Sequence, residues 1–301
     1  MSATPRPVAI LGAPSNLGLK PYNDSGEARG VDQTPRVLRE LGLVERLGAR
    51  DLGDIAAPPY RDFVRPPGGT RNEAEIADYS HALANAIRAN ARDGEFLLIL
   101  GGDCSILLGT LLGFGPCGLA FLDGHCDFAT PAISSTGGAA GMDLAFAVGR
   151  GGNRLARLGS PLIAEGDVCA MGRKDLADEP YYGADSMRHS AVLDLPWETI
   201  AARGAESVAA EALARVANAG RGFVIHVDAD VLDPAVMPAV DSPEPGGMGL
   251  DTLGELLALL ARHPRALALQ LTVYDPRLDP TRVCGRRVVE LLAHVNSSFS
   301  P

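Results

Sequence analysis

Short apolar runs punctuate the chain at Val8–Leu11, Phe96–Leu100, Leu119–Leu122, Phe223–Val227 and Ala266–Val273. Each is too short for an ordinary helix and is largely apolar at successive rather than alternate positions. Strands covered on both faces read this way, as in a parallel sheet with helices on either side. Between them the period changes to that of helices. Thr34 and Pro35 stand as N-cap and first-turn residue ahead of Arg36–Leu43, and Glu73–Arg92 is a long helical stretch. Glu206–Ala219 is alanine-rich with apolar residues at helical spacing, and Asp251-Thr252 caps a leucine-rich run that reaches Arg262 and stops at His263-Pro264. Strand and helix alternate, so the predicted fold is α/β with a mostly parallel sheet.

Nothing along the chain reads as a linker or a repeat. The Pro/Gly-rich Ala57–Gly69 and the Ser/Gly-rich Ile133–Gly141 are short enough to be loops, so residues 1–301 are expected to form one domain. Gly149–Ser190 lacks clear periodicity and is expected to wrap the surface near a site.

Composition narrows the function classes. Over 301 residues, 27 Lys+Arg against 37 Asp+Glu give a net charge of −10, which argues against an electrostatic nucleic-acid binder. A 46% hydrophobic, 21% charged chain has ample core and is not a disordered one. Met1–Pro7 is too short and polar for a signal-peptide core, and no window approaches the ~18 apolar residues of a membrane helix, so a cytoplasmic protein with no membrane partner is expected. The five cysteines lack CxxC spacing, which speaks against a zinc ribbon or a disulfide framework.

Three apolar strands end in acidic or ligand-type residues, where open α/β sheets place their sites. The segments are Leu100-Gly-Gly-Asp-Cys-Ser105, Phe121-Leu-Asp-Gly-His-Cys-Asp-Phe128 and His226-Val-Asp-Ala-Asp-Val-Leu-Asp-Pro234. If the strands extend through them, Asp123, His125 and Asp127 share one face, as do Asp228 and Asp230, with Cys126 on the opposite face as packing. Neighbouring buried carboxylates cost several kcal/mol per charge unless a cation compensates them. Each segment alone is equally a turn, but together they point to metal. Four aspartates, one His and Cys104 make a set too large for one ion with an open position, and it suits two ions bridged by shared carboxylates.

These segments resemble the hallmark motifs of the ureohydrolases (arginase, agmatinase, formiminoglutamase and relatives), which read Gly-Gly-Asp-His-Ser, Asp-Ala-His-x-Asp and Asp-x-Asp-x-x-Asp-Pro. The likeness covers nearly the whole chain, including Ile10–Ser15, Thr34–Leu43, Asp51-Leu-Gly-Asp54 and Tyr274–Pro280. It implies an αβα sandwich around an eight-stranded, mainly parallel sheet, two divalent ions with manganese the usual metal, a small-molecule substrate, and a homo-oligomer, trimer or hexamer. It also implies that Asp123 and Asp228 bridge both ions, that Cys104 and Asp127 complete one and His125 and Asp230 the other, and that Asp127 orients the attacking hydroxide.

The chain departs from the family at several positions. Cys104 replaces a histidine ligand, which favours Zn, Fe, Co or Ni more than a histidine would; alternatively it is a buried small side chain and a ligand is lost. The hydroxyarginine hydrolase of cycloserine biosynthesis, a branch of the family, resembles this chain in having a cysteine there. Val273 stands where arginases and agmatinases carry a guanidinium-binding glutamate, Ala140 where the loop has a proton-shuttling histidine, and Ala129 where arginases have an asparagine. Substitutes are sought nearby. His226 is either a proton shuttle to the leaving amine or a packed core histidine, and Glu244 is either a replacement carboxylate or a plain turn residue. Arg173 and Asn16 are further substrate-binding candidates. The expected activity is hydrolysis of a non-peptide C–N bond in a small linear guanidino, amidine or amide compound other than arginine or agmatine. The alternatives are a non-catalytic relative with a structural or sensing role, or a partner subunit of an active homologue.

Overall fold

All five apolar runs become strands of one sheet in the computed structural model, which describes residues 6–22, 26–61, 65, 68–159, 161–183 and 186–299. The strands are β1 (Val8–Ala13), β2 (Arg50–Asp54), β3 (Phe96–Gly101), β4 (Gly118–Leu122), β5 (Val168–Met171), β6 (Leu193–Leu195), β7 (Phe223–Asp228) and β8 (Ala266–Thr272). Their order is β2-β1-β3-β8-β7-β4-β5-β6, and every pairing is parallel.

The sheet is a middle layer. Val8, Ile10, Leu98, Leu100, Ile225 and Val227 turn to one face, while Ala9, Leu11, Leu97, Ile99 and Val224 turn to the other, each set entering its own apolar core. Helices α1 (Thr34–Glu40), α2 (Glu73–Asn90), α3 (Ile106–Phe114), α4 (Asp143–Ala147), α5 (Trp197–Arg203), α6 (Ala205–Val216), α7 (Leu250–Ala261) and α8 (Val283–Ser297) cover these faces. Residues of α1, α6, α7 and α8 fill the first core, and residues of α2, α3 and α4 the second. No helix among the described residues is long and apolar enough to cross a membrane.

Several expectations need correction. Residues 149–190 do not merely wrap the surface, because β5 runs through them as an interior strand. The Thr34 hydroxyl does not cap α1; it donates to the Tyr274 carbonyl at 2.5 Å and ties the helix to the end of β8. Asp251 and Thr252 likewise lie inside the first turn of α7, whose N-cap position is Gly249. There Asp251 acts through its charge at the positive end of the helix.

Candidate metal centre

Four neighbouring strands, β3, β8, β7 and β4, bring their carboxyl ends to one edge of the sheet. β3 stops at Gly101, and the chain turns through Gly102 and Asp103 into α3. A Cβ on Gly102 would lie 1.6 Å from the Ser15 carbonyl oxygen, so this close approach requires glycine. The Asp103 carboxylate is occupied by the loop, accepting from the Ser15 hydroxyl and the Ser105 amide, each at 2.9 Å. Cys104 follows, fully buried, with its thiol donating to Asp228 Oδ2 at 2.9 Å and 3.1 Å from Thr272 Oγ1.

Strand alternation is not what gathers the other acidic residues. β4 ends at Leu122, before Asp123, and β7 ends at Asp228 and gives way to a 3-10 turn over Ala229–Val231. Turns made by the aspartates themselves do the work. Asp123 Oδ1 accepts the His125 amide and Asp228 Oδ1 the Asp230 amide, both at 2.7 Å. Asp230 Oδ1 accepts the Gly124 amide at 3.0 Å and locks the two loops together. Asp127 adopts φ +44°, a left-handed conformation uncommon outside glycine, asparagine and aspartate. Cys126 packs in the apolar core, with its amide donating to Asp175 Oδ2 at 3.1 Å.

Three overlapping sets of donor atoms result, the atoms of each within 4.8 Å of one another: Asp123–His125–Asp230, Cys104–Asp123–Asp228 and Cys104–Asp143–His226. The electrostatics call for positive charge. Burial, followed by repulsion from Asp230, pushes the Asp123 carboxyl well up, and burial and its acidic neighbours do the same to Asp127, Asp143 and Asp228. Asp123 Oδ2 and both oxygens of Asp143 are buried without a donor. Burial opposes charge on His125, but Asp230 at 3.0 Å outweighs it and the imidazole pKa rises to about 10. Asp230 is held low against its own burial by that imidazole. Burial and the charge of Asp228 push the Cys104 thiol well up.

The cluster opens onto a cavity of about 350 Å³, lined by His125, Asp127, Asp228 and Asp230 together with Ala140, Val273, Lys20, Tyr182 and Asp241. Val273 holds φ +66°, where a β-branched residue is strained. Neither it nor Ala140 offers a polar group to the cavity.

The other site residues read from the sequence fall elsewhere. His226 is fully buried on β7 and absent from the cavity wall. Its ring stacks on Phe121 with centroids 4.8 Å apart, and its Nδ1 lies 2.8 Å from Gln270 Nε2. Burial lowers its pKa to about 3, which favours the neutral ring, and this placement matches the packed core histidine more than the shuttle. Arg173 is buried too, with Nη2 and Nε on Asp194 Oδ2 at 2.7 and 2.9 Å and Nη1 3.2 Å from Asp175 Oδ1, so it braces β5 against β6 instead of meeting a ligand. Glu244 is exposed in its turn, and its carbonyl oxygen accepts from Lys174 Nζ at 3.0 Å. Asn16 donates to the Arg29 carbonyl at 3.0 Å and does not line the cavity.

Two acidic residues escaped the sequence reading. Asp143 opens α4, where an aspartate before an apolar run signals only a helix start. Asp241, three residues before Glu244, is the carboxylate that this loop does bring to the cavity, where it pairs with Arg29 at 2.7 Å. Its position ahead of Ser242-Pro243 marks only a turn.

A family model described as the arginase family matches residues 6–296. An arginase of Brevibacillus brevis is 30% identical over 96% of this chain and 97% of its own length. The solved structure of the arginase of Bacillus caldovelox superposes with a TM-score of 0.83 at 28% identity, covering 96% of this chain and 98% of that one. That of the arginase of Bacillus cereus gives 0.81 at 26% identity, with 96% and 97% covered.

Proposed function

The chain belongs to the arginase family, and on that premise we propose that it is a binuclear metal-dependent hydrolase cleaving a non-peptide C–N bond of a small linear amidine or amide. One observation carries the reading: a cluster of buried carboxylates that His125 alone does not balance faces a substrate-sized cavity.

The donor set fits two divalent cations, because Asp123 Oδ2 has no donor and the carboxylates repel one another unless positive charge is supplied. Asp123 and Asp228 would be shared, Cys104 and Asp127 would complete the inner position, and His125 and Asp230 the outer one. Manganese suits the carboxylates, and Cys104 also admits Zn, Fe, Co or Ni. Bound ions of this kind supply a nucleophilic water at neutral pH by lowering its pKa. Asp127, which lines the cavity, would orient the attacking water.

The cavity wall supports a substrate less basic than arginine or agmatine. Val273 provides no carboxylate to pair with a guanidinium, and Asp241 is already neutralised by Arg29. Formimino, ureido, hydroxyguanidino and amide groups share the sp² carbon that a hydroxide attacks. Lys20 on the same wall places a cation for a substrate carboxylate. We also propose that residues 1–301 act as one domain in a homo-oligomer, a trimer or hexamer, in the cytoplasm.

Elemental analysis of protein loaded with Mn or Co, followed by ammonia and urea release over these classes, tests the reading. At least two ions per chain and turnover of a neutral amidine or amide are expected. Absence of bound metal would sink the enzyme, and arginine as the preferred substrate would sink the specificity.

A further inference from the structure

We propose that Cys104, Asp143 and His226 form a further cation site, fully buried beneath the cavity and selective for a borderline ion such as Zn2+. It goes beyond the hydrolase reading, which uses neither Asp143 nor His226 as a ligand.

The three donor atoms lie within 4.8 Å of one another, and the residues come from three separate elements: the turn after β3, the start of α4 and the middle of β7. None has more than 1% of its surface exposed, and none lines the cavity. Two of the three carry unpartnered atoms. Both carboxylate oxygens of Asp143 are buried without a donor, and so is His226 Nε2. Orphaned buried polar groups are costly, and more so when charged, so a bound cation would relieve several at once. Asp228 Oδ2, 2.9 Å from Cys104 Sγ, belongs to the neighbouring donor set with Asp123. One sulfur, one imidazole nitrogen and a carboxylate oxygen make a mixed donor set of the kind that suits zinc and disfavours manganese.

The surroundings of His226 suit a ligand. Its Nδ1 meets Gln270, whose Oε1 in turn meets the Thr110 hydroxyl on α3. A hydroxyl both donates and accepts, and an amide can turn over, so this relay can run in either direction. With the amide turned, Gln270 Oε1 accepts Nδ1–H and Nε2 presents its lone pair to the ion, so the imidazole stays neutral and its proton moves from Nε2 to Nδ1. Cys104 releases its thiol proton to water when the ion enters. Such a hydrogen bond behind a ligating histidine fixes its orientation. Gln270 is therefore a positioning residue for this site.

X-ray absorption at the zinc edge tests the proposal on the full chain carrying one equivalent of Zn2+. The proposed site gives one sulfur and one imidazole around the same ion. An ion at Cys104–Asp123–Asp228 would give sulfur without imidazole, and one at Asp123–His125–Asp230 imidazole without sulfur. Repeating the measurement in His125→Asn removes the outer imidazole, so any that remains belongs to His226. Sulfur plus imidazole in both proteins is the expected result, and a shell lacking either in the wild type overturns the proposal. In chelator competition, His226→Gln and Asp143→Asn should each weaken Zn2+ binding by at least about 10-fold, as should Gln270→Leu, the loss seen when outer partners of ligands are removed. Unchanged Zn2+ affinity in all three folded variants would also refute it. Because Cys104 is common to both sites, Mn2+ stoichiometry is measured in His226→Gln and Asp143→Asn, residues outside the binuclear set: unchanged Mn2+ with weakened Zn2+ is expected, and equal loss of both would overturn a distinct site.

Discussion

Cys104 Sγ and Asp228 Oδ2 lie 2.9 Å apart although 124 residues separate them in the chain. The contact joins the end of β3 to the end of β7 across β8, which lies between the two strands and contributes Thr272 Oγ1 at 3.1 Å from the same sulfur. Cys104 also belongs to two of the three donor sets, so it is the residue on which the buried half of the cluster depends.

Removing the sulfur should therefore be felt in metal content before anything else. Cys104→Ala is expected to lose at least one bound ion per chain and to leave Asp228 Oδ2 without its donor, destabilising the metal-free protein by about 1–3 kcal/mol. Cys104→His should keep or strengthen Mn2+ binding while weakening Zn2+. Elemental analysis and thermal unfolding check both, and unchanged metal content and affinity in the two variants would remove Cys104 from the ligand set.

The metal-free protein should lose stability as pH rises. Asp123, Asp127, Asp143 and Asp228 are all pushed up in the folded state, so the native chain binds more protons than the unfolded one. That stability is fully present below the unfolded carboxyl pKa of about 4 and disappears as pH climbs through the folded values. Divalent ions compensate the same charges. The gap in Tm between loaded and chelated protein is thus expected to widen from about pH 5 to pH 8. A gap that stays constant or narrows would show that the ions bind away from these carboxylates.

Substrate choice should be movable at Val273. The residue lines the cavity at φ +66°, so an unbranched replacement meets less backbone strain than valine does. Val273→Glu supplies a carboxylate to the wall, and a charge-assisted contact worth about 1.5–3 kcal/mol should raise kcat/KM for a guanidino compound over a neutral amide by roughly 10- to 100-fold. Paired kinetics on the two substrate classes measure the ratio. No shift in it would mean that position 273 does not face the reacting group.

The central strands were legible because β1, β3, β4, β7 and β8 are buried on both faces and read as continuous apolar runs. The outer strands carry no such signal. β2 is Arg-Asp-Leu-Gly-Asp, half exposed along the edge, and β6 has three residues. α3 hid for the opposite reason, since Ile106–Phe114 is apolar on every side and holds Gly109 and Gly113, which let it press against Leu83 and Ile87 of α2. At the site, the acidic segments were visible, but the expected cause was not the real one: aspartate turns after the strand ends, not alternation along them, bring Asp123, His125 and Asp230 together. Asp143 and Asp241 lie in no pattern that sets them apart from any other aspartate at a helix start or turn.

Arg173 gives the sharpest contrast between a residue's apparent and actual place. It follows β5 at the functional edge of the sheet, where a cation reads as a substrate anchor, yet Asp194 of β6 and Asp175 claim its guanidinium. The pair is buried on the arginine side, whereas the Asp194 side chain keeps 24% of its surface. Breaking a buried pair from one side costs about 3–5 kcal/mol, and partial exposure of Asp194 brings the expected cost of Arg173→Ala toward the lower end. Arg173→Lys cannot restore the two-pronged contact and should recover only part of it. Since the guanidinium does not line the cavity, both variants should lower Tm while leaving KM within about two-fold at a temperature where they remain folded. A large rise in KM with unchanged Tm would return Arg173 to the substrate site.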